Sequence, residues 1–477
     1  MIKKFFISIS IVFTIPFFLF AVCSKKKIES PSPSNQDALD TWMTRANGTM
    51  LLEKSPTAIY FTTGLTSVPA VQIDTATQYQ SVDGFGYTLT GGSAYLLNRM
   101  SAPARATILK EVFASGATSL GVSYLRVSMG ASDLSPTVFS YNDLPPLQTD
   151  PTLSQFSLAA DTVDLIPILK EILLLNPSLK IMASPWSAPA WMKSTKSTIG
   201  GYLLPIYYNS YAQYFVKYIL SMRAKGISID AITIQNEPEH GGNNPSMVMT
   251  AAEQIDFIKN HLGPALRNAA ITTKIIVWDH NCDNPNYPIT VMNDPTAKSF
   301  IDGAAFHLYA GTVGALSGVK AAHPDKNLYF TEQWTGANGN FGGDLLWHMK
   351  NVVIGSLRNW SRIALEWNFA NDPFFGPHTP GGCTECKGAI TIDGDTYNRN
   401  VSYYIIAHAS KFVLPGSVRI HTSDLSGISQ VAFKRPDGKK VLIALNESTN
   451  DISFSILFNN KNAIVSLPAE TVATYVW

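Results

Sequence analysis

AITIQNEPEH, residues 231–240, begins as an alternating β-branched run through Ile232, Thr233 and Ile234 and breaks off in Asn236, Glu237, Pro238 and Glu239. The run has the pattern of a buried strand, and this strand ends in an acid. In a barrel of parallel strands the C-terminal strand ends converge on one mouth, so a carboxylate placed there reads as chemistry. Pro238 cannot continue a ladder, and it predicts an extended backbone at Glu237 that fixes where the side chain points. A plain polar strand-to-loop transition would look the same in isolation. What separates the two readings is a second stretch of the same design. NLYFTEQWTG, residues 327–336, is again an apolar, aromatic run closed by a glutamate, Glu332, with Gln333 and Trp334 behind it.

Two glutamates on two strand ends are what glycoside hydrolysis requires. One carboxylic acid protonates the departing oxygen while a carboxylate attacks the anomeric carbon, and in retaining enzymes the two groups sit about 5 to 5.5 Å apart. Their surroundings must differ, so that one holds a proton near neutral pH and the other does not.

Around these two stretches, strand-like and helical runs alternate in the rhythm of βα units. Strands are predicted at 123–128 (SYLRVS), 180–184 (KIMAS), 274–279 (KIIVWD), 303–308 (GAAFHL) and 362–367 (RIALEW). Helices are predicted over 159–175, 207–224, 251–262, 343–359 and 401–412. Seven or eight strand tips carry polar or aromatic residues, and that regularity predicts a (β/α)8 barrel. The Gly-rich segment 80–97 has neither the dinucleotide spacing nor the Gly-Lys-Ser/Thr ending of a phosphate loop. From Val418 to Trp477 only short alternating runs remain, separated by turn signals such as Pro436, Asp437 and Gly438. They predict a side β-sandwich completed by the strand-like runs before the barrel, one module built from both termini.

The 477 residues accommodate a barrel and a smaller module. The expected organisation is an export signal over 1–23, a flexible tether over 24–38, sandwich over 39–78, barrel over 79–412 and sandwich again over 413–477. A net charge of +1 gives no sign of a nucleic-acid or strongly acidic partner. Lys3 and Lys4 precede an apolar run from Phe5 to Val22, short for a spanning helix. Ala21, Val22 and Cys23 look like a lipoprotein cleavage box with Cys23 as the lipidation site. Phe20 and Val22 are bulky for that box, so plain secretion is the alternative. The chain is expected to be exported, as a cell-envelope lipoprotein or a secreted protein, with membrane contact only through such an N-terminal lipid anchor. Nothing in the residues signals an oligomeric state.

The motifs GFGYTLTGG, YLRVSMGASDLS, ASPWSAPAWMK, TIQNEPE, FHLYAG, FTEQWTG, LEWNFANDP and GGCTECKGAITID, in this order, resemble glycoside hydrolase family 30, which holds glucosylceramidases and endo-β-1,6-glucanases. The resemblance covers nearly all of the chain after the export signal and implies a retaining mechanism, with Glu237 as acid/base and Glu332 as nucleophile. It implies that Asp133 and Trp186 bind the terminal glucose and that Asn236 contacts the sugar 2-hydroxyl. Arg126 would keep Glu332 ionised. His307 and Tyr309 fall beside the nucleophile, Trp367 with Asn368 lies at the end of the eighth strand where the indole can face a sugar ring, and the resemblance implies that these four, like Arg126, belong to the substrate-binding set. Plainer readings exist for three of these: a structural ion pair for Arg126, a core histidine for His307, a core filler for Trp367.

The chain departs from the glucosylceramidases at Leu89 to Gly92, where many of them carry an acid, and at Leu308, where they carry tryptophan. Residues 243–264 resemble the β-1,6-glucanase side instead. The expected substrate is therefore a β-glucan or other β-glucoside, with an endo-β-1,6-glucanase-like activity ahead of a glucosylceramidase or exo-β-glucosidase. The alternative from another class is a surface lipoprotein that binds glycans without cleaving them. No cofactor and no metal is implied. Cys383 and Cys386 form a lone C-x-x-C that lacks two further ligands for zinc. In an exported protein they are expected to form a local disulfide, with reduced thiols as the alternative.

Overall fold

The computed structural model describes residues 1, 2, 4, 5 and 38–477. The expected export signal from residue 6 onward, Cys23 and the tether up to residue 37 lie outside the described residues. Eight parallel strands close into a barrel: β1 (Gly84–Thr88), β2 (Tyr124–Ser128), β3 (Lys180–Ser184), β4 (Ala231–Thr233), β5 (Lys274–Cys282), β6 (Ile301–Gly311), β7 (Asn327–Glu332) and β8 (Ser361–Asn368). Each pairs with the next and β8 pairs with β1.

The barrel interior is filled by a layer made of Tyr124, Met182, Ala231, Ile276, Ala305, Tyr329, Ile363 and Leu365, all fully buried. β1 adds no side chain to this layer. A Cβ at Gly86 would collide with the Tyr124 carbonyl oxygen, so the glycine is what lets β1 and β2 approach. Because side chains alternate along a strand, the next inward position lies two residues further toward the mouth. Those positions are Arg126, Ser184, Thr233, His307, Thr331 and Trp367. An apolar floor therefore carries a polar storey directly above it, and the polar storey is the site.

The helices follow the predicted periods with two differences. The helix expected over 159–175 occupies only Leu165–Leu175, because residues 158–163 form isolated turns. The helix expected to stop at Leu262 continues through a π turn, Ile258–Leu262, into Gly263–Asn268. Gly263 and Pro264 read as a stop, but the π turn shifts the hydrogen-bond register at the point where Pro264 lacks an N–H.

The second module is a curled ten-stranded sheet fed from both ends of the described chain. Ala38–Arg45 pairs antiparallel with the last strand, Thr471–Val476, and Ala70–Ser81 joins Val418–Thr422 to Ile452–Phe458. Its own core contains Leu39, Val71, Ile73, Phe454, Ile456 and Tyr475.

The fully buried helix Val401–Ser410 fastens the two modules through His408. Nδ1 contacts Thr474 Oγ1 at 2.9 Å and Nε2 contacts Thr44 Oγ1 at 2.8 Å. The Thr474 hydroxyl already donates to the His408 carbonyl, so Nδ1 carries the hydrogen and Nε2 accepts from Thr44. This is a neutral imidazole, and burial lowers its pKa to about 3. The unfolded chain takes up this proton near the ordinary histidine value and the folded chain does not. Stability is therefore full above about pH 6.5 and falls as pH drops toward 3, by about 1.4 kcal/mol per unit from this group. Melting curves between pH 7 and 4 are expected to be flatter for His408→Gln than for the parent protein; equal slopes would refute the assignment.

Candidate active site

Arg126 stands at the centre of the polar storey and is completely buried. Its Nη1 donates to Glu332 Oε2 at 2.5 Å, Nη2 to Asn236 Oδ1 at 2.6 Å and to Asp279 Oδ2 at 2.8 Å, and Nε to Ser184 Oγ at 3.0 Å. One guanidinium thus holds the tips of β3, β5 and β7 and the segment after β4. Asp279 collects further donors from Ser184, Thr233 and Thr331 at 3.0, 2.8 and 2.7 Å. Burial alone would raise its carboxyl; Arg126 and His307 hold it ionised, far below the usual range.

Asp279 reaches this position through a bulge. The β5–β6 pairing steps from Ala305 opposite Trp278 to Phe306 opposite His280, leaving Asp279 out of register. Trp278 and Asp279 both take left-handed φ values, +73° and +63°, each costing roughly 1–3 kcal/mol. The Asp279 carbonyl in turn accepts the Glu237 N–H at 3.0 Å. Glu237 itself has φ +48°, which corrects the extended backbone expected from Pro238. Proline disfavours the right-handed region before it, and here the tertiary bond to Asp279 selects the left-handed one.

Glu237 and Glu332 meet at one nitrogen. His307 Nδ1 lies 3.0 Å from Glu237 Oε1 and 3.8 Å from Glu332 Oε1, while Nε2 lies 3.2 Å from Asp279 Oδ1. The two carboxylate oxygens cannot be further apart than the first two distances end to end. That limit reaches only the lower edge of the roughly 6.5–9.5 Å of an inverting pair and admits the about 5 to 5.5 Å of a retaining one. Tyr309 donates its hydroxyl to Glu332 Oε1 at 3.0 Å.

Burial would lower His307, but Glu332, Asp279 and Glu237 around it raise it to about 9, so it is an imidazolium at neutral pH. Burial would raise Glu237, but His280 and His307 outweigh it and hold the carboxyl below its usual range. Burial, with Glu237 and Asp279, pushes Glu332 up against the pull of His307 and Arg126. The cluster therefore keeps one proton on His307, a single hydrogen bond away from Glu237 Oε1.

Above the two carboxylates opens a cleft of about 290 Å³. Asp133, Trp186, Asn236, Tyr309 and Trp367 line it, as do both glutamates and the two cysteines. Trp186 and Trp367 lie 5.4 Å apart and form an apolar wall beneath which Arg126 sits 4.8 Å from the Trp186 ring. Asn236 Oδ1 is taken by Arg126, which leaves its amide hydrogens for a ligand. Asp133 is buried at the rim, where burial first and then the Glu332 charge raise its carboxyl to about 7.

Cys383 and Cys386 form a disulfide. Its loop is stitched to both sides of the cleft. Cys383 N–H donates to Asp133 Oδ2 at 3.4 Å, and Cys386–Lys387 pairs antiparallel with Thr335–Gly336 just beyond Glu332.

Three of the expected residues stand elsewhere than in the cleft wall. Arg126 and His307 are fully buried beneath it and act on the carboxylates rather than on a ligand. Asn368 follows Trp367 on the strand and so points to the other side. Its Oδ1 accepts from Thr90 and Ser93 at 3.1 and 2.9 Å, and it is not a lining residue, a correction to its expected sugar contact. Asp279 and His280 were not singled out from the sequence, although KIIVWD ends a strand in an acid just as the two glutamate stretches do. Trp334, directly behind Glu332, also lines the cleft.

Replacing Arg126 by methionine leaves Asp279 and Glu332 buried without their cation. Breaking such a pair from one side costs about 3–5 kcal/mol, a fall in melting temperature on the order of 10 °C by scanning calorimetry. Arg126→Lys is expected to melt closer to the parent yet lose activity, since an ammonium cannot hold Glu332, Asn236 and Asp279 in one plane. Equal melting of all three proteins would refute the role.

The chain matches the Glycosyl hydrolase family 30 TIM-barrel domain over residues 82–413 and the family's beta sandwich domain over 416–475. It is 34% identical over 427 residues to the endo-1,6-beta-D-glucanase neg1 of Aspergillus fumigatus, covering 83% of this chain and 85% of that one. It is 28% identical to the lysosomal acid glucosylceramidase of Mus musculus, over 84% of this chain and 82% of that one. The solved structure of the endo-beta1,6-glucanase BT3312 superposes with a TM-score of 0.86 at 35% identity, covering 92% of this chain and 99% of the other. With both modules matched in sequence and the whole described fold matched in space, the chain belongs to glycoside hydrolase family 30 and is a glycoside hydrolase.

Proposed function

We propose that the protein is a retaining endo-β-1,6-glucanase in which Glu332 is the nucleophile and Glu237 the acid/base. The observation that carries the assignment of roles is the asymmetry around His307. Glu332 is held by donors that cannot leave, Arg126 and Tyr309, while Glu237 is bonded to the one group that carries a transferable proton. A sugar ring stacked on Trp186 and Trp367 presents its anomeric carbon to Glu332. Glu237, drawing on the His307 proton, protonates the departing oxygen, and a glycosyl ester forms on Glu332. Ester formation removes the Glu332 charge, which leaves Glu237 more acidic and suited to deprotonate the incoming water. Asn236, fixed by Arg126, directs its amide to the 2-hydroxyl, where the bond strengthens as the ring flattens.

A β-1,6-glucan is favoured as substrate because the relatives named for that activity are 33–35% identical to this chain. Product analysis on pustulan, glucosylceramide and an aryl β-glucoside tests the reading. Oligosaccharides from pustulan are expected. Glucose from the ceramide or aryl substrate alone would make the protein an exo-acting glucosidase, and binding without cleavage would make it a glycan-binding lipoprotein. Export with lipidation at Cys23 belongs to the same proposal; the intact mass of the mature N-terminus, with or without a diacylglyceryl group, decides it.

A further inference from the structure

One buried nitrogen at the cleft makes no hydrogen bond. His280 follows Asp279 on β5, is 8% exposed, and its buried Nδ1 has no hydrogen bond. That nitrogen faces Glu237 Oε1 at 3.6 Å, too long for a hydrogen bond, while His307 Nδ1 approaches the same oxygen at 3.0 Å. The three atoms lie within 4.8 Å of one another. A tetrahedral zinc ion with bonds of about 2.0–2.2 Å separates its ligand atoms by roughly 3.3–3.6 Å. Two edges of the triangle already bracket that length. The outer contact is also in place, since Asp279 Oδ1 lies 3.2 Å from His307 Nε2, the carboxylate–histidine arrangement that orients a metal-binding imidazole. Glu237 and His280 line the cleft, so a fourth position opens to water or a sugar hydroxyl. Charge favours a cation as well: Glu237, Asp279 and Glu332 all lie within 4 Å of the His307 ring nitrogens, and an ion would take the place of the His307 proton.

We propose that Glu237, His280 and His307 bind a divalent transition-metal ion of the zinc or copper type, and that the ion reversibly inhibits the enzyme by occupying the oxygen with which Glu237 serves the leaving group. Two imidazoles and one carboxylate select such ions over Mg2+ and Ca2+, which take oxygen ligands.

Calorimetric titration of the chelator-treated protein with Zn2+ alone tests the site. One ion per chain is expected, with no heat from Mg2+ or Ca2+, and Co2+ is expected to give the visible absorption of a four- or five-coordinate site. His280→Ala is expected to weaken Zn2+ binding at least about tenfold. His280→Asn, which keeps a polar side chain of similar reach, is expected to do the same with an unchanged melting temperature. His421→Ala, in the sandwich beside Tyr79, is expected to bind like the parent. In activity assays Zn2+ should inhibit and EDTA restore the rate. Parent-like affinity in His280→Asn, or no saturable binding by the parent, would overturn the proposal. Because the titration contains no glycan, its outcome is independent of which substrate the enzyme cleaves.

Discussion

Glu332→Gln is expected to lose turnover on pustulan and on aryl β-glucosides alike, by on the order of 10^4-fold or more. The amide is nearly isosteric: its oxygen can still accept from Arg126 and its NH2 can donate to the Tyr309 hydroxyl oxygen, so the fold should survive and the melting temperature stay close to the parent's. What disappears is the nucleophile. The other described carboxylates of the site are differently engaged: Asp279 is enclosed by Arg126, His307 and three hydroxyls, Asp133 stands at the rim, and Glu237 is bonded to His307. Initial rates on both substrates, with a melting curve as control, make the measurement. Parent-like turnover on either substrate would show that Glu332 does not attack.

Glu237→Ala should separate the two substrates. On a glucan, whose leaving group is an alkoxide, loss of the acid is expected to cost about 10^2–10^4-fold. On a dinitrophenyl β-glucoside the first step needs no proton, so the glycosyl ester should form in a burst and then stall for want of a base. Azide, which needs no base, is expected to restore turnover and give the β-glycosyl azide. If the variant were as inactive on the activated glucoside as on the glucan, with no rescue by azide, the roles of the two glutamates would be wrong.

The barrel and the two glutamates were legible because each rests on a local pattern: a strand of period two, a closing acid, a repeat of that design 95 positions on. The same rule applied to KIIVWD would have found Asp279, the residue on which Arg126, His307 and the Glu237 backbone all converge. What hid it is that Asp279 sits on a bulge. Its inward orientation comes from two left-handed residues in succession, which no residue type at 278 or 279 announces. Glu237 repeats the lesson: Pro238 restricts the backbone before it, and the tertiary bond to Asp279 chose among the conformations that remain. Asn368 failed for the opposite reason. Its neighbour Trp367 faces the cleft, and strand alternation alone turns Asn368 toward Thr90 and Ser93. The proton on His307 depends on three carboxylates, Glu237, Asp279 and Glu332, meeting it from separate parts of the chain within 4 Å, which a linear pattern does not contain.

The first described strand and the last lie side by side, with Asp40 opposite Val476. Tension between Ala38 and Trp477 would therefore enter both strands at the same end of their ladder. Bonds loaded in that geometry give way in succession, as the teeth of a zipper do, whereas strands pulled from opposite ends share the load and break together. The catalytic hoop has no free edge and comes under strain only after the outer pair has peeled. Mechanically, the sandwich is a fuse: under a pull on the termini it opens first, at low force, and the eight-stranded ring that holds Glu237 and Glu332 stays closed.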